Sequence, residues 1–363
     1  MPFQIIRNDI TKVKADAIVN TANPRPVIGS GTDSAIYAAA GEDQLLAERK
    51  KIGEIAPGCA ASTPAFNLDA KYIIHTVGPA WIDGNHGERD TLRSCYAQSL
   101  ALAAELACES IAFPMIATGV YGFPKDEALN IALSEVGKFL MTHDMKVILV
   151  VFDRKALELS EKLVGGITEY IDEHAVKALR DAEYGGGYAS NSRSRMDEER
   201  RLAAERRRRM DAIPEPEEET DEIEEFSLLA PSAAPFPDVA GKSLDEVLGG
   251  KEDTFQQRLF KLIDASGMDD VTVYKKANID RKVFSRIRCK EDYKPKKKTA
   301  VAFAIALELD MPTMLDLLSR AEIAFSPSSK FDLIVSYFIT NGNYDIFEIN
   351  AALFNYGQPI LGE

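Results

Sequence analysis

Asn20-Thr21-Ala22-Asn23 leading to Ile28-Gly29-Ser30-Gly31-Thr32-Asp33, and Ile116-Ala117-Thr118-Gly119-Val120-Tyr121-Gly122-Phe123-Pro124 about ninety residues later, decide the fold. Each stretch follows an apolar run and opens into a helical pattern. Each therefore marks a place where a strand ends and a helix N-terminus begins. Two such loops side by side present glycine backbone N–H groups and helix dipoles to one ligand, and that ligand should be anionic.

Working outward, apolar runs recur at Phe3–Ile6, Asp16–Asn20, Tyr72–Val77, Ser110–Pro114 and Val147–Phe152. Their nearly unbroken hydrophobicity suits strands covered on both faces. Helical patterns fall between or after them, at Asp33–Ala40, Leu92–Leu106, Asp126–Thr142 and Lys155–Glu173. The alternation predicts a three-layer α/β/α domain over residues 1–176.

Residues 177–241 differ in kind. Tyr184-Gly185-Gly186-Gly187-Tyr188, an Arg/Glu-rich block over Arg193–Arg209 and an acidic run over Pro214–Glu225 offer little to fill a core, so a charged flexible linker is expected. The Arg block reads as a solvated helix ahead of a nucleic-acid contact, because Glu198, Glu199 and Glu205 would repel phosphate. Residues 242–363 read as a small all-α domain. Val271–Ala277, a turn at Asn278-Ile279, Asp280–Arg288, Thr299–Leu309 and Pro312–Ala321 follow a helix-turn-helix layout. From Lys275 to Lys298 there are eleven Lys/Arg against three Asp/Glu, in a chain whose net charge is −14. Lys275, Lys276, Arg281, Lys282 and Arg288 are therefore candidate nucleic-acid contacts. A basic face for an acidic protein partner, and a merely solvated face, stand as alternatives.

The cysteines, Cys59, Cys95, Cys108 and Cys289, form no CxxC, which argues against a disulfide framework or a zinc site; no metal is expected. The first residues lack the charged and apolar regions of a signal peptide, and no apolar run approaches the ~20 residues needed to span a bilayer. A cytoplasmic protein without membrane attachment is the expectation.

Several pieces, taken together, resemble a known family. They are Asn8–Thr11, Asp16–Asn23, the first glycine loop, Ala35–Gly41, Ile74-His75-Thr76-Val77-Gly78-Pro79, Cys95-Tyr96, Ile111–Pro114 and the second glycine loop. In order and spacing they resemble the macro domain, the ADP-ribose-binding fold, in its hydrolytic branch. The C-terminal region more loosely resembles Xre-type helix-turn-helix domains. The resemblance implies a bacterial protein that binds ADP-ribose or an ADP-ribosylated macromolecule and needs no cofactor. It implies that Asp9 accepts from the adenine amine beside Ile10, and that Phe152 packs on the adenine ring. Thr118, Gly119, Val120, Tyr121 and Gly122 would wrap the diphosphate, with Tyr121 over the distal ribose. Asn20, Gly29 and Gly31 would complete the ribose subsite, and Asn23 and Asp33 would be catalytic, Asp33 activating a water.

Two departures bear on turnover. The first loop carries Ile28 and Ser30 where the family has glycines, and the next helix carries Ser34 and Tyr37 where the hydrolases often have Gly and His. Looser binding, a different acceptor, or binding without hydrolysis would each follow. Three functions are thus open: a hydrolase of ADP-ribosyl bonds, a non-catalytic reader, or a nucleic-acid-binding regulator tuned by ADP-ribose. Blander roles also exist: helix caps for Asp9 and Asp33, turn formers for Asn20 and Asn23, core packing for Phe152, Cys95 and Cys108. His75, inside an apolar strand, reads as a hydrogen-bonded core histidine, and Trp81 as either a wall of the cleft or an anchor for its loop.

Overall fold

The computed structural model describes residues 2–152, 159, 163–173 and 253–362. The linker expected at 177–241, with its Arg193–Arg209 and Pro214–Glu225 blocks, lies outside the described residues. So does most of the first part of the helix expected over Lys155–Glu173.

Six strands, β1 (Phe3–Arg7), β2 (Ala17–Thr21), β3 (Ala60–Pro64), β4 (Tyr72–Thr76), β5 (Ser110–Pro114) and β6 (Lys146–Val151), form one sheet in the order β1-β6-β5-β2-β4-β3. All neighbours are parallel except β3, which runs antiparallel to β4 at one edge. Four helices accompany them: α1 (Thr32–Ala40), α2 (Glu42–Ile52), α3 (Glu88–Glu105) and α4 (Lys125–Thr142). Successive strand residues point to opposite faces. Ala17 and Val19 enter one core with Leu92, Leu100 and Leu133 from α3 and α4, while Ile18 enters another with Ile36 and Leu45 from α1 and α2. The sheet is thus covered on both sides, and each fully buried Ile, Leu or Val contributes roughly 1.5–3 kcal/mol. The antiparallel β3, with its sequence Ala60-Ala61-Ser62-Thr63-Pro64, and the charged helix α2 are additions to the expected elements.

The described C-terminal residues are helical. After α5 (163–173) come α6 (Phe255–Ser266), α7 (Asp270–Lys276), α8 (Arg281–Cys289), α9 (Lys297–Ala306), α10 (Met311–Ser319), α11 (Lys330–Thr340) and α12 (Ile346–Asn355). Thr254, Asp269, Asp280, Asp310, Ser329 and Asp345 cap six of these helices with side-chain oxygens, so the starts are locally encoded. The apolar α9 runs through the centre with Ala300 to Ala306 buried. Helix α5 was expected with the α/β part. Instead Leu163, Ile167 and Ile171, spaced at i, i+4 and i+8, pack into the C-terminal core, with Tyr170 edge-on to Tyr337.

The helical part lies against the sheet's β1 edge and α4. Phe347 meets the Phe3 ring at 5.3 Å, and a Cβ on Gly137 would come within 3.1 Å of Phe347, so only glycine leaves room for that ring. Asn278, at φ +52° in the turn between α7 and α8, bonds to both backbone groups of Phe3. Beside this contact α4, Lys276, Tyr344 and Phe347 line a groove of about 690 Å³ whose Lys138, Lys276 and Glu348 already have protein partners. Among the described residues no helix is long and apolar enough to cross a membrane.

Candidate functional site

All five parallel strands end on one edge of the sheet, and in an open α/β sheet ligands settle outside that edge. Along it the strand order places four segments in line. First comes the Asn8–Ile10 segment after β1, then Phe152 after β6, then the second glycine loop after β5, then Asn23 and the first glycine loop after β2. The two glycine loops thus leave hydrogen-bonded neighbours, because Ala17 and Ile18 of β2 pair with Ile111 and Ala112 of β5.

The first loop reaches α1 through Gly31, whose φ of +67° and ψ of −126° suit glycine. No side chain caps α1, and none caps α4 behind the second loop, so backbone N–H groups at both starts are left for another acceptor. Ile28 is half-buried and packs against the core containing Ile36 and Tyr37, while Ser30 is exposed.

Asp33, in the first turn of α1, is only 3% exposed. Its Oδ1 accepts from Asn20 Nδ2 at 2.6 Å and its Oδ2 from the Gly29 N–H at 2.5 Å. Asn20 is paired in register with His75 across β2 and β4, and its Nδ2 also lies 3.2 Å from His75 Nδ1. His75 Nε2 lies 3.0 Å from Thr63 Oγ1. Burial, with the Arg49 charge, pushes the His75 imidazole down to about 3, so the ring is neutral at ordinary pH. Nδ1 then accepts from Asn20 and Nε2–H donates to Thr63. Burial pushes the Asp33 carboxyl above the usual carboxylate range, against the opposing pull of the Gly29 and Asn20 donors and the Arg49 charge.

This chain corrects one expectation. Asn20 is fully buried and its amide is spent on Asp33 and His75, so it holds the carboxylate from below and does not line the crevice. Asn23 is partly exposed, and its Nδ2 donates to Val27 O at 3.1 Å. A Cβ at Gly29 would lie 2.8 Å from Asn23 Nδ2 and 3.1 Å from Asp33 Oδ2, so these three residues meet at one point.

In the second loop, Ala117 (φ +63°) and Gly122 (φ +65°) turn the chain, closed by Gly122 N–H to Gly119 O and Phe123 N–H to Ala117 O. Gly119, Val120 and Gly122 are exposed, Thr118 and Tyr121 partly so. Trp81 turns out to serve as an anchor. Its N–H donates to Tyr121 O at 2.8 Å, its ring meets Phe123 edge-on at 4.6 Å, and Arg89 lies 5.2 Å over it. Arg89 in turn forms a two-pronged pair with Glu127 of α4, which ties this wall to the second loop.

Asp9 caps the 3-10 turn Ile10–Lys12, with Oδ1 accepting from the N–H and the hydroxyl of Thr11. No hydrogen bond to its Oδ2 is made among the described residues. Ile10 is buried, and Phe152 stands 76% exposed just past β6, which rules out a core role. Asn8 N–H donates to Val151 O, so Asp9 and Phe152 flank the same stretch of edge.

Asp83, His86 and Glu88 cluster within 4.8 Å, but Glu88 accepts from the backbone N–H groups of Ile82, Asp83, Gly84 and His86. Those amides outweigh burial and hold its carboxyl down to about 2, so Glu88 organises the loop. In the C-terminal part the expected basic patch is broken. Lys275 points at the α/β part, where it reaches Asp144 at 3.3 Å with its side chain 9% exposed. Lys276 pairs with Glu308, and Arg288 with Asp270 while lying over Phe260. Arg281 and Lys282 stay on the surface.

Arg49 escaped the reading of the sequence. It lies in Glu48-Arg49-Lys50-Lys51, a run that reads as a solvated face, yet it is 1% exposed. Nothing local in the sequence distinguishes it from its neighbours.

A family model described as Macro domain matches residues 19–132. The chain is 43% identical over 167 residues to a macro domain-containing protein of Methanosarcina mazei, covering 46% of this chain and 89% of that protein. It is 42% identical over 167 residues to an O-acetyl-ADP-ribose deacetylase of Citrobacter rodentium, covering 45% of this chain and 94% of that protein. A solved structure of the Oceanobacillus iheyensis macrodomain with ADP is 38% identical, covers 42% of this chain and 84% of that chain, and has a TM-score of 0.40. With nearly nine-tenths of a relative's length matched at this identity, the chain belongs to the macro domain family.

Proposed function

We propose that this protein binds ADP-ribose along the carboxyl edge of the sheet and hydrolyses an ester of its distal ribose. The observation that carries the reading is the order of segments along that edge. Asp9 and Phe152 form a subsite for a base, the β5 loop offers backbone N–H groups to a diphosphate, and Asn23, Gly29 and Asp33 meet where the distal ribose would lie. That is the order of parts in ADP-ribose itself. The relative in Citrobacter rodentium, named as an O-acetyl-ADP-ribose deacetylase, supports an acyl ester as the substrate class.

In the reaction Asn23 orients the ribose and Asp33 takes a proton from water. The water oxygen adds, the ester C–O bond breaks, ADP-ribose and the free acid leave, and the proton passes from Asp33 to solvent. A positioned general base of this kind contributes about 10²–10⁴-fold. The restrained carboxylate keeps one lone pair on each oxygen for this work, since Asn20 and Gly29 occupy one each.

One observation favours a second reading, a reader without turnover: both Asp33 oxygens already serve the loop, and the carboxyl is nearly enclosed. Calorimetric titration with ADP-ribose tests binding. Release of ADP-ribose from O-acetyl-ADP-ribose, with wild type set against Asp33→Ala, separates the two readings. Release lost in the variant supports hydrolysis, and binding without any release leaves the reader.

A further inference from the structure

Arg49 is the largest fully buried side chain among the described residues, and no acid pairs with it directly there. Its guanidinium instead donates to three backbone carbonyls: Asn23 O at 3.2 Å, Pro24 O at 3.1 Å, and Gly53 O just past α2. Two of these belong to the turn that carries Asn23 and leads to the first glycine loop. The third closes the C-terminal end of α2, where the helix dipole also favours a cation. Pro24 O accepts a second bond, from the Ile55 N–H at 2.9 Å, so the whole Asn23–Pro24 turn hangs on α2 and the chain that follows it.

A buried guanidinium is costly unless every donor direction is used. Here carbonyl dipoles supply that partnership. Arg49 also acts at a distance on Asp33 and on Tyr37, one turn further along α1 and itself buried. Asp33 and Arg49 are thus two opposite charges beneath the same crevice floor, kept apart and each tied to the first loop from its own side.

We propose that Arg49 is a positioning residue for the site, fixing the Asn23–Pro24 turn so that Asn23 and Gly29 stand correctly over Asp33. Its effect on turnover rests on the hydrolytic reading above; its effect on the loop does not. Arginine is needed because its planar fork reaches α2 and the turn at once. A lysine ammonium, a compact donor on a flexible stem, spans only one of them.

The test uses the full chain as wild type, Arg49→Lys and Arg49→Met, with thermal melting to show that each is folded. Amide hydrogen exchange over residues 20–31 should quicken about tenfold or more in both variants, the effect of losing a charge-assisted bond or two, with β5 and β6 unchanged. Turnover of O-acetyl-ADP-ribose should fall by a similar factor while the Kd for ADP-ribose moves less, because the base and diphosphate subsites are untouched. If a folded variant exchanges like wild type over residues 20–31, the proposal is overturned. If wild type shows no turnover, the hydrolytic reading falls and the exchange measurement alone decides the role of Arg49. Should Arg49→Met not fold, Arg49→Lys decides by the same readout.

Discussion

Asn20 Nδ2 stands 2.6 Å from Asp33 Oδ1, and the same nitrogen lies 3.2 Å from His75 Nδ1, so one buried amide joins a strand-to-strand register pair to the first turn of α1. The orientation of the amide follows from its neighbours. Both the Asp33 oxygen and His75 Nδ1 are acceptors, so the donor end of Asn20 must face them, and its Oδ1 is left buried without a partner. Asn20→Leu should cost about 1–3 kcal/mol, because Asp33 and His75 each lose a donor in a water-free place. Turnover should fall with little change in ADP-ribose affinity. Chemical denaturation and calorimetry on the same variant check the two effects.

Asp33 should make the protein's stability depend on pH in the direction opposite to a surface carboxylate. Its folded pKa lies above the unfolded value because of burial. The stability it contributes is then fully present below the unfolded carboxylate range and is lost as pH rises through the raised folded pKa. Asp33→Asn should therefore stabilise the protein at pH 7 and show no such gain in strong acid, while hydrolysis drops about 10²–10⁴-fold. Melting curves across pH for the two proteins settle the sign; an Asp33→Asn melting point below wild type at neutral pH would contradict it.

His75 acts with the other sign. Its folded pKa is depressed from 6.5 to about 3, so the folded state refuses a proton that the unfolded chain accepts. Stability should fall as pH drops from about 6.5 towards 3, by at most about 5 kcal/mol if the whole shift is expressed. His75→Gln should flatten this part of the acid limb. Urea denaturation midpoints between pH 7 and pH 4 provide the comparison.

Asn278 covers the exposed edge of the sheet. It accepts from Phe3 N–H at 2.8 Å and donates to Phe3 O at 3.1 Å and Leu361 O at 3.3 Å, standing in for a seventh strand at one residue. Asn278→Gly keeps the positive φ without strain, so its cost reports the bonds alone, about 1–3 kcal/mol. The loss should appear as faster amide exchange at Phe3 and Leu361. An unchanged exchange rate at Phe3 would show that the edge is held by Phe347 packing instead.

Residue order alone determined what is short-range. The five parallel strands were legible because residues buried on both faces leave unbroken apolar runs, and the two loops because positive φ at Gly31 and Gly122 needs glycine close at hand. The C-terminal helices announced themselves by caps such as Asp269, Asp280 and Asp310. Antiparallel β3 did not, because Ala60-Ala61-Ser62-Thr63-Pro64 has neither alternation nor a β-branched run. Tertiary structure decided the rest. Whether Arg49 faces water or the floor of the crevice, whether Lys275 belongs to a basic surface or to the contact with Asp144, and whether Asn20 meets a ligand or Asp33 are questions of direction in space. A charged or amide side chain carries the same letters in either setting, and only the packing of other elements around it fixes which partner it finds.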